Sequence, residues 1–304
     1  MLSRGESFIT LQGTPPESLL DMVAELAGRP APDAEPPRPD GRAVATAFYE
    51  PSTRTRLGFH IAARALGLDV MPLDVAASSV SKGESLTDTV RVLADYGIAA
   101  LVLRHPDPES MAVATAAGSC PVINAGNGAG EHPVQTLIDL AMIHRRFGRL
   151  TGLNITMTGD ILHSRTIHGL IMALSLYDNR VTLVSDPALR LPADLGGLAV
   201  RRYAPRLEET DSLTRSILKT TDILYMTRVQ TERGSENRPI ILTEQVQQTL
   251  NQDAIVLHPM PRTVELPEWF DSDPRAAYLR RNHVGLTVMT FVLETVLGGK
   301  NEND

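Results

Sequence analysis

Short unbroken apolar runs alternate along this chain with longer stretches in which apolar residues return every three or four positions. The first pattern reads as a strand buried on both faces, the second as an amphipathic helix. Runs at 44–49, 68–73, 98–103 and 121–125 predict four strands in the first half. Helices are predicted between them over 52–66, 86–94 and 110–117, and a long one over 133–147 opens on Pro133. Within 52–66, Leu57, Ile61 and Ala65 recur at i, i+4 and i+8 and predict its buried face, with Gly67 just past its end. An amphipathic segment over 16–26 precedes this series, and the five prolines within 30–41 predict an exposed loop.

The rhythm then repeats. Strands are predicted at 153–158, 181–185, 223–226 and 254–257, and helices over 164–177, 212–220 and 285–297. Strands separated by helices, twice over, predict an α/β fold of two domains, each a sandwich built on a parallel sheet. We expect the first at 1–134, with 284–304 packing back onto it, and the second at 135–283. The active site is expected in the cleft between them.

Composition narrows the function. The 304 residues suffice for two cores, and 29 basic against 36 acidic residues give a net charge of −7. Nucleic-acid or anionic-membrane binding needs a basic surface, so neither is expected as a partner. Any anionic ligand must be met by a local cluster of Arg and Lys. The single cysteine, Cys120, excludes an internal disulfide framework and a multi-cysteine metal site. The N-terminus has no long apolar run, and no stretch is long enough to span a bilayer, so a cytoplasmic setting is expected.

In parallel sheets ligands bind beyond the C-terminal strand ends. After the first strand the chain reads Glu50-Pro51-Ser52-Thr53-Arg54-Thr55-Arg56, with three hydroxyls and two guanidiniums at a helix start. Free N–H groups and the helix dipole favour an anion there, and Arg grips phosphate bidentately. Arg54 and Arg56 lie about 200° apart on a helix, so one is expected to bind and the other to be structural. The third strand ends in Arg104-His105-Pro106, and the fourth runs into a glycine-rich turn with His132 and Gln135 at the next helix start. In the second half, Gly159-Asp160 leads to Ser164-Arg165, without a dinucleotide fingerprint. Arg228 follows another strand, and the last strand ends in His258-Pro259-Met260-Pro261-Arg262. Arg54, Arg104, Arg165 and Arg228 at strand ends imply substrates with several negative charges.

These motifs resemble the aspartate/ornithine carbamoyltransferase family over 44–262. The run 48–56, FYEPSTRTR, resembles its carbamoyl-phosphate signature; 132–135, HPVQ, its H-P-x-Q motif; and 78–85, SSVSKGES, the loop that neighbouring subunits lend each other. HPMPR at 258–262, TRVQTER at 227–233 and SRT at 164–166 resemble the aspartate branch, and Cys120 is misplaced for the ornithine type. The chain departs from the pattern at Asn127, where Asp is common, and at Val134, where Thr is common. It keeps only Gly285 of the C-terminal motif over 281–289, and 234–239 is short for a loop closing over aspartate.

The resemblance implies transfer of a carbamoyl group from carbamoyl phosphate to L-aspartate in pyrimidine synthesis, with no cofactor and no metal. It assigns the phosphate to Ser52, Thr53, Arg54, Thr55 and Arg104. Thr55, Arg104 and His132 go to the carbonyl oxygen and Gln135 to the carbamoyl NH₂, with Arg54, Thr55, Arg104 and His132 as the catalytic set. Arg165, Arg228 and Gln230, with Pro259 and Met260, go to aspartate. Ser78 and Lys82 come from a neighbouring subunit of a homotrimer, both to carbamoyl phosphate and Lys82 to aspartate as well, and Glu50, Glu84, Glu232 and Arg233 orient the arginines. A different amino-acid acceptor, or a non-catalytic homologue that binds carbamoyl phosphate, stays open at this point.

Overall fold

The structure, a computed structural model, describes residues 5–32, 39–118, 120–195, 206–230 and 239–298. Glu232, Arg233 and nearly all of the 234–239 loop lie outside the described residues. Packing divides the chain into two units: Met1–Ser18, Glu25–Ile138 and Asn282–Asp304 form one, and Leu19–Ala24 with Asp139–Arg281 the other.

Helix α1 (Pro16–Gly28), whose residues Leu19–Ala24 are assigned to the second unit, is followed in the first by β1 (Ala43–Phe48), α2 (Arg54–Ala65), β2 (Asp69–Leu73) and α3 (Leu86–Asp95). Then come β3 (Ala100–His105), α4 (Ser110–Ala117), β4 (Val122–Asn127) and α5 (Pro133–Phe147), which belongs to this unit as far as Ile138. The strands form a parallel sheet in the order β2-β1-β3-β4. Val44, Ala45, Thr46 and Ala47 of β1 are all buried, as covering by helices on both faces requires. β2 is an edge strand, which is why Pro72 is tolerated and Met71 is half exposed.

The buried face of α2 differs from the expectation. Leu57 and Ile61 are each 51% exposed, and the helix buries Thr55, Gly58, Phe59, Ala62 and Ala63 instead. The reason is closeness of approach. A Cβ on Gly58 would lie 2.5 Å from the Met289 sulfur, on the last helix, α9 (Arg281–Leu297), so the small-residue face is the one that fits.

In the second unit β5 (Asn154–Thr158), α6 (Arg165–Leu174), β6 (Arg180–Val184), β7 (Leu207–Thr210), α7 (Arg215–Thr220), β8 (Ile223–Met226), α8 (Glu244–Thr249) and β9 (Ile255–Leu257) follow in turn. The parallel sheet has the order β7-β6-β5-β8-β9. Strand β7 and helix α8 escaped the sequence pattern because they carry little of it. β7 is a polar edge strand reading LEET, and α8 buries no residue. One core face joins Leu224, Met226 and Val256 to Leu218, Leu242, Leu250, Leu266 and Phe270.

Both sheets reverse direction beside their first strand. From β1 the chain steps out to β2 and returns to β3 on the other side; from β5 it steps out to β6 and β7 and returns to β8. Each reversal leaves a crevice at the strand C-termini, between β1 and β3 in one unit and between β5 and β8 in the other. Phe59, on the buried face of α2, is 1% exposed and anchors that helix in the core of its unit. Phe59→Ala is expected to cost about 3–5 kcal/mol in denaturant unfolding. A loss under about 1 kcal/mol would show that this helix is not anchored there.

Candidate active site

At the first crevice, Phe48 pairs with Arg104 across β1 and β3, and Tyr49 N–H donates to the Arg104 carbonyl at 2.8 Å. The loop carrying Ser52 and Thr53 therefore rises beside Arg104. Helix α2 begins at Arg54 behind Thr53, whose side chain makes no capping hydrogen bond. The start of this helix has not spent that hydroxyl on itself. Thr55 is buried, Arg54 half-buried and Arg56 exposed, so the two arginines part company as the helical angle requires. Arg104 Nε lies 3.3 Å from Glu50 Oε2, and its Nη1 donates to the Ala125 carbonyl at 3.3 Å. Glu50 thus holds one arginine, as expected. Glu84 instead accepts from the Thr89 hydroxyl at 2.8 Å.

Strand β4 adds the next part of the edge. Gly128 N–H donates to the His105 carbonyl at 2.8 Å; Gly128 has φ 54°, and a Cβ there would meet the Pro106 carbonyl oxygen at 1.9 Å. Asn127 explains its own departure from the family pattern. Its amide donates to the Pro108 carbonyl at 2.6 Å while its oxygen accepts from Glu131 N–H at 2.8 Å, a pair of roles an ionised carboxylate cannot fill. Beyond this turn His132 and Gln135 are both buried. Gln135 N–H donates to His132 Nδ1 at 3.4 Å, so the ring caps α5 and in its neutral form carries its hydrogen on Nε2.

Ser78 and Lys82 stand apart from this group. They follow β2, which lies on the other side of β1 from β3. The segment Ser79–Lys82 is a 3-10 helix closed by Gly83 at φ 95°. Ser78 Oγ donates to the Val75 carbonyl at 2.9 Å and accepts from Val80 N–H at 3.3 Å, while Lys82 is exposed.

The second crevice uses a similar device. Gly159 has φ 109°, and a Cβ there would lie 2.1 Å from the Thr227 carbonyl oxygen. Thr227 donates through N–H and Oγ1 to the Thr158 carbonyl, at 3.0 and 3.1 Å. The fully buried Asp160 ties the two strand ends together. Its Oδ2 accepts from Gln230 N–H at 3.1 Å, and its Oδ1 accepts from His163 N–H at 3.0 Å and lies 3.0 Å from His163 Nδ1. Sequence reasoning weighed Asp160 only within a missing fingerprint. An Asp directly after a strand-end glycine was the available signal. Arg165 is buried at the start of α6, which Ser164 caps, and Arg228 Nη1 donates to the Val229 carbonyl at 3.4 Å.

After β9, the His258 ring and Glu265 form a buried pair at 2.9 Å, and Met260 N–H donates to His258 Nδ1 at 2.8 Å. Met260 has φ 59°, and Arg262 is bound to Asp271. Burial opposes the charge on Glu265. Hydrogen bonds from His258, from Thr263 through side chain and N–H, and from its own N–H outweigh it and hold the carboxyl down at about 2. Glu265 too was missed, since a carboxylate several positions past a motif looks like any surface residue.

A cavity of about 530 Å³ in the first unit lies away from these strand ends, lined by Arg29, Asp40, Arg42, Leu68, Phe291 and Leu297 among others. Its arginines are paired with Glu25 and Glu294 and with Asp40. Among the described residues no cluster of potential metal ligands occurs, and no helix is long and apolar enough to cross a membrane.

Parallel α/β units with arginines and hydroxyls at their reversal points define a class of protein that handles anionic substrates. The chain belongs to the aspartate/ornithine carbamoyltransferase family: residues 7–145 match its carbamoyl-P binding domain and residues 151–296 its Asp/Orn binding domain. It is 41% identical to the aspartate carbamoyltransferase catalytic subunit of Alkaliphilus oremlandii, over 85% of this chain and 80% of that one. Identity to the corresponding subunit of Thermoplasma acidophilum is 42%, over 84% and 86%. Among solved structures, the Trypanosoma cruzi aspartate transcarbamoylase bound to carbamoyl phosphate superimposes with a TM-score of 0.90 at 33% identity, covering 97% of both chains. The same enzyme with N-(phosphonacetyl)-L-aspartic acid gives 0.89.

The depressed Glu265 pKa has a signed consequence. An acid whose folded pKa lies below its unfolded value stabilises the fold above the unfolded value, near 4.5, and that contribution is lost as pH falls toward about 2. It amounts to about 3 kcal/mol at neutral pH. The stability gap between wild type and Glu265→Gln is expected to shrink across this window in urea titrations. A gap independent of pH would refute the assignment.

Proposed function

We propose that this chain is an aspartate carbamoyltransferase, moving the carbamoyl group of carbamoyl phosphate to the α-amine of L-aspartate. The products are N-carbamoyl-L-aspartate, a pyrimidine precursor, and phosphate. The observation that carries the reading is the first crevice: the loop and helix start bearing Ser52, Thr53, Arg54 and Thr55 follow Phe48, which pairs with the Glu50-braced Arg104. Carbamoyl phosphate is the donor that such an edge fits: a phosphate for the helix start and a carbonyl for its buried neighbours.

The amine attacks the carbonyl carbon, an oxyanion forms, and the C–O bond to phosphate breaks with its electron pair leaving on phosphate. The proton shed by the amine is taken by that phosphate, so no protein nucleophile or base is required. Arg54 and the hydroxyls of Ser52, Thr53 and Thr55 hold the leaving group. Thr55, Arg104 and the Nε2–H of His132 donate to the carbonyl oxygen as its charge grows, and Gln135 orients the NH₂. Positioning and charge stabilisation carry the rate. Arg165, Arg228 and Gln230 hold the aspartate carboxylates, and the Pro259-Met260 turn borders the amine. In this reading 1–134 with 284–304 serves carbamoyl phosphate, 135–283 serves aspartate, and the enzyme works in the cytoplasm.

Each site is completed by Ser78 and Lys82 of a neighbouring subunit in a homotrimer. Two features support this. Lys82 is exposed beyond an edge strand, and Leu57, Ile61 and Met71 leave apolar surface on the same unit in water.

Arg54→Ala is expected to lower kcat by about 10²–10³, since its partner gains charge in the transition state. Arg228→Ala should raise the KM for aspartate, with carbamoyl-phosphate binding little changed, and succinate should compete with aspartate. Near-normal kcat in the first variant, or equal weakening of both substrates in the second, would overturn the division of roles. Failure of succinate to inhibit would point to another acceptor.

Sharing between subunits is tested by hybrids. Arg54→Ala and Lys82→Ala enzymes should each be nearly inactive, and dissociating, mixing and reassembling them should restore activity in the sites that pair intact residues. Mixed trimers, verified by mass, that stay inactive would disprove it.

A further inference from the structure

The pair formed by His258 and Glu265 is buried as deeply as any in the second unit, at 1% and 0% exposure, yet no step of the reaction uses it. Burying a carboxylate is costly unless its lone pairs are filled. Glu265 fills them close to its own turn. Oε1 accepts from His258 Nε2 at 2.9 Å and from Thr263 N–H at 2.9 Å, and Oε2 accepts from the Thr263 hydroxyl at 2.6 Å.

The other face of the imidazole is committed as well. His258 Nδ1 accepts from Met260 N–H at 2.8 Å. A nitrogen that accepts carries no hydrogen, so the ring is neutral with its hydrogen on Nε2, aimed at Glu265. The carboxylate therefore selects the tautomer, and the tautomer selects the backbone. Met260 needs that hold. Its φ of 59° lies in the left-handed region, which a side chain with a Cβ adopts only when its surroundings impose it. Pro259 and Met260 themselves are only half-buried, at the end of β9, which pairs with β8, the strand that leads to Arg228.

We propose that His258 and Glu265 are positioning residues for the acceptor amino acid: Glu265 fixes the imidazole, and the imidazole fixes the Met260 backbone that borders the acceptor's amine. The inference rests on the proposed function, since it takes the Pro259-Met260 turn as part of the acceptor site. The pair touches neither substrate and acts on one of them only.

The test uses the full-length enzyme and steady-state kinetics in both substrates. His258→Leu removes the acceptor for Met260 N–H. It should raise the aspartate KM about tenfold or more, the usual loss for a buried hydrogen bond, while the carbamoyl-phosphate KM stays within about twofold. His258→Asn puts an amide oxygen two residues before the same N–H, as in an Asx-turn, and should bring the aspartate KM back to within about threefold of wild type. Glu265→Gln keeps an acceptor for Nε2 but loses the charge, and should raise the aspartate KM by about threefold or more, again alone. A merely structural pair would lower the melting temperature without separating the two KM values. A normal aspartate KM in His258→Leu, equal changes for both substrates, or a folded His258→Asn as weak as the leucine variant would overturn the inference. Should His258→Leu fail to fold, Glu265→Gln decides, and an unchanged aspartate KM there is equally fatal. A wild-type enzyme inactive with aspartate would overturn the proposed function; an active one whose variants bind aspartate normally overturns this inference alone.

Discussion

Everything charged that the proposed chemistry takes from this chain itself depends on how parallel strands are connected. A parallel sheet cannot be threaded outward in both directions without reversing once, and the reversal leaves two neighbouring strand ends whose loops diverge. In the first unit those ends are Phe48 and Arg104, directly paired; in the second they are Thr158 and Met226. Backbone N–H groups and helix starts already gather there, so arginines and hydroxyls placed at these points add to an existing preference for anions.

Two arginines beyond strand ends, one at the first reversal and one after β9, have a carboxylate beside them. Glu50 stands beside Arg104, and Asp271 is bound to Arg262. Asp160 is different: besides the His163 ring it accepts from the Gln230 and His163 N–H groups, so it holds backbone on both strand-end loops. Glu265 does the same for the turn after β9 through His258. One kind of carboxylate restrains a guanidinium directly; the other shapes the chain around the space a substrate would fill. The second kind is buried and fully hydrogen-bonded, as a charge far from water must be.

The strands other than β2 and β7 were legible because they are buried apolar runs, β2 because its apolar residues follow one another even at an exposed edge, and the long helix α5 because Pro133 marks its start. What was not legible follows from the same physics. β7 and α8 bury too little to leave an apolar signature. Helix α2 has apolar residues on two faces, and periodicity cannot say which is inside; the choice fell to Gly58, whose missing Cβ admits Met289. The hydroxyls and guanidiniums of 52–56 stood out by their density at one helix start. Asp160 and Glu265 were not, because their role depends on what folds against them and not on their neighbours in sequence. Asn127 was read as a departure, and only the contacts at 2.6 and 2.8 Å reveal why an amide serves there.

The two units also share a way of setting the spacing of neighbouring strand-end loops, β3 against β4 in one and β5 against β8 in the other. Gly128 and Gly159 both have positive φ and both pass so close to a facing carbonyl, of Pro106 and of Thr227, that no side chain would fit. In each case the facing carbonyl belongs to the loop after the neighbouring strand. Glycine there lets one strand-end loop lie directly against the next, which fixes the distance between residues borne on different strands without any side-chain contact. Side chains that must meet a substrate from several strands at once need such a spacing set in advance, because a loop free to drift by an ångström loses much of the benefit of orientation. In each unit the strand edge is therefore shaped as much by its glycine as by the arginines it carries.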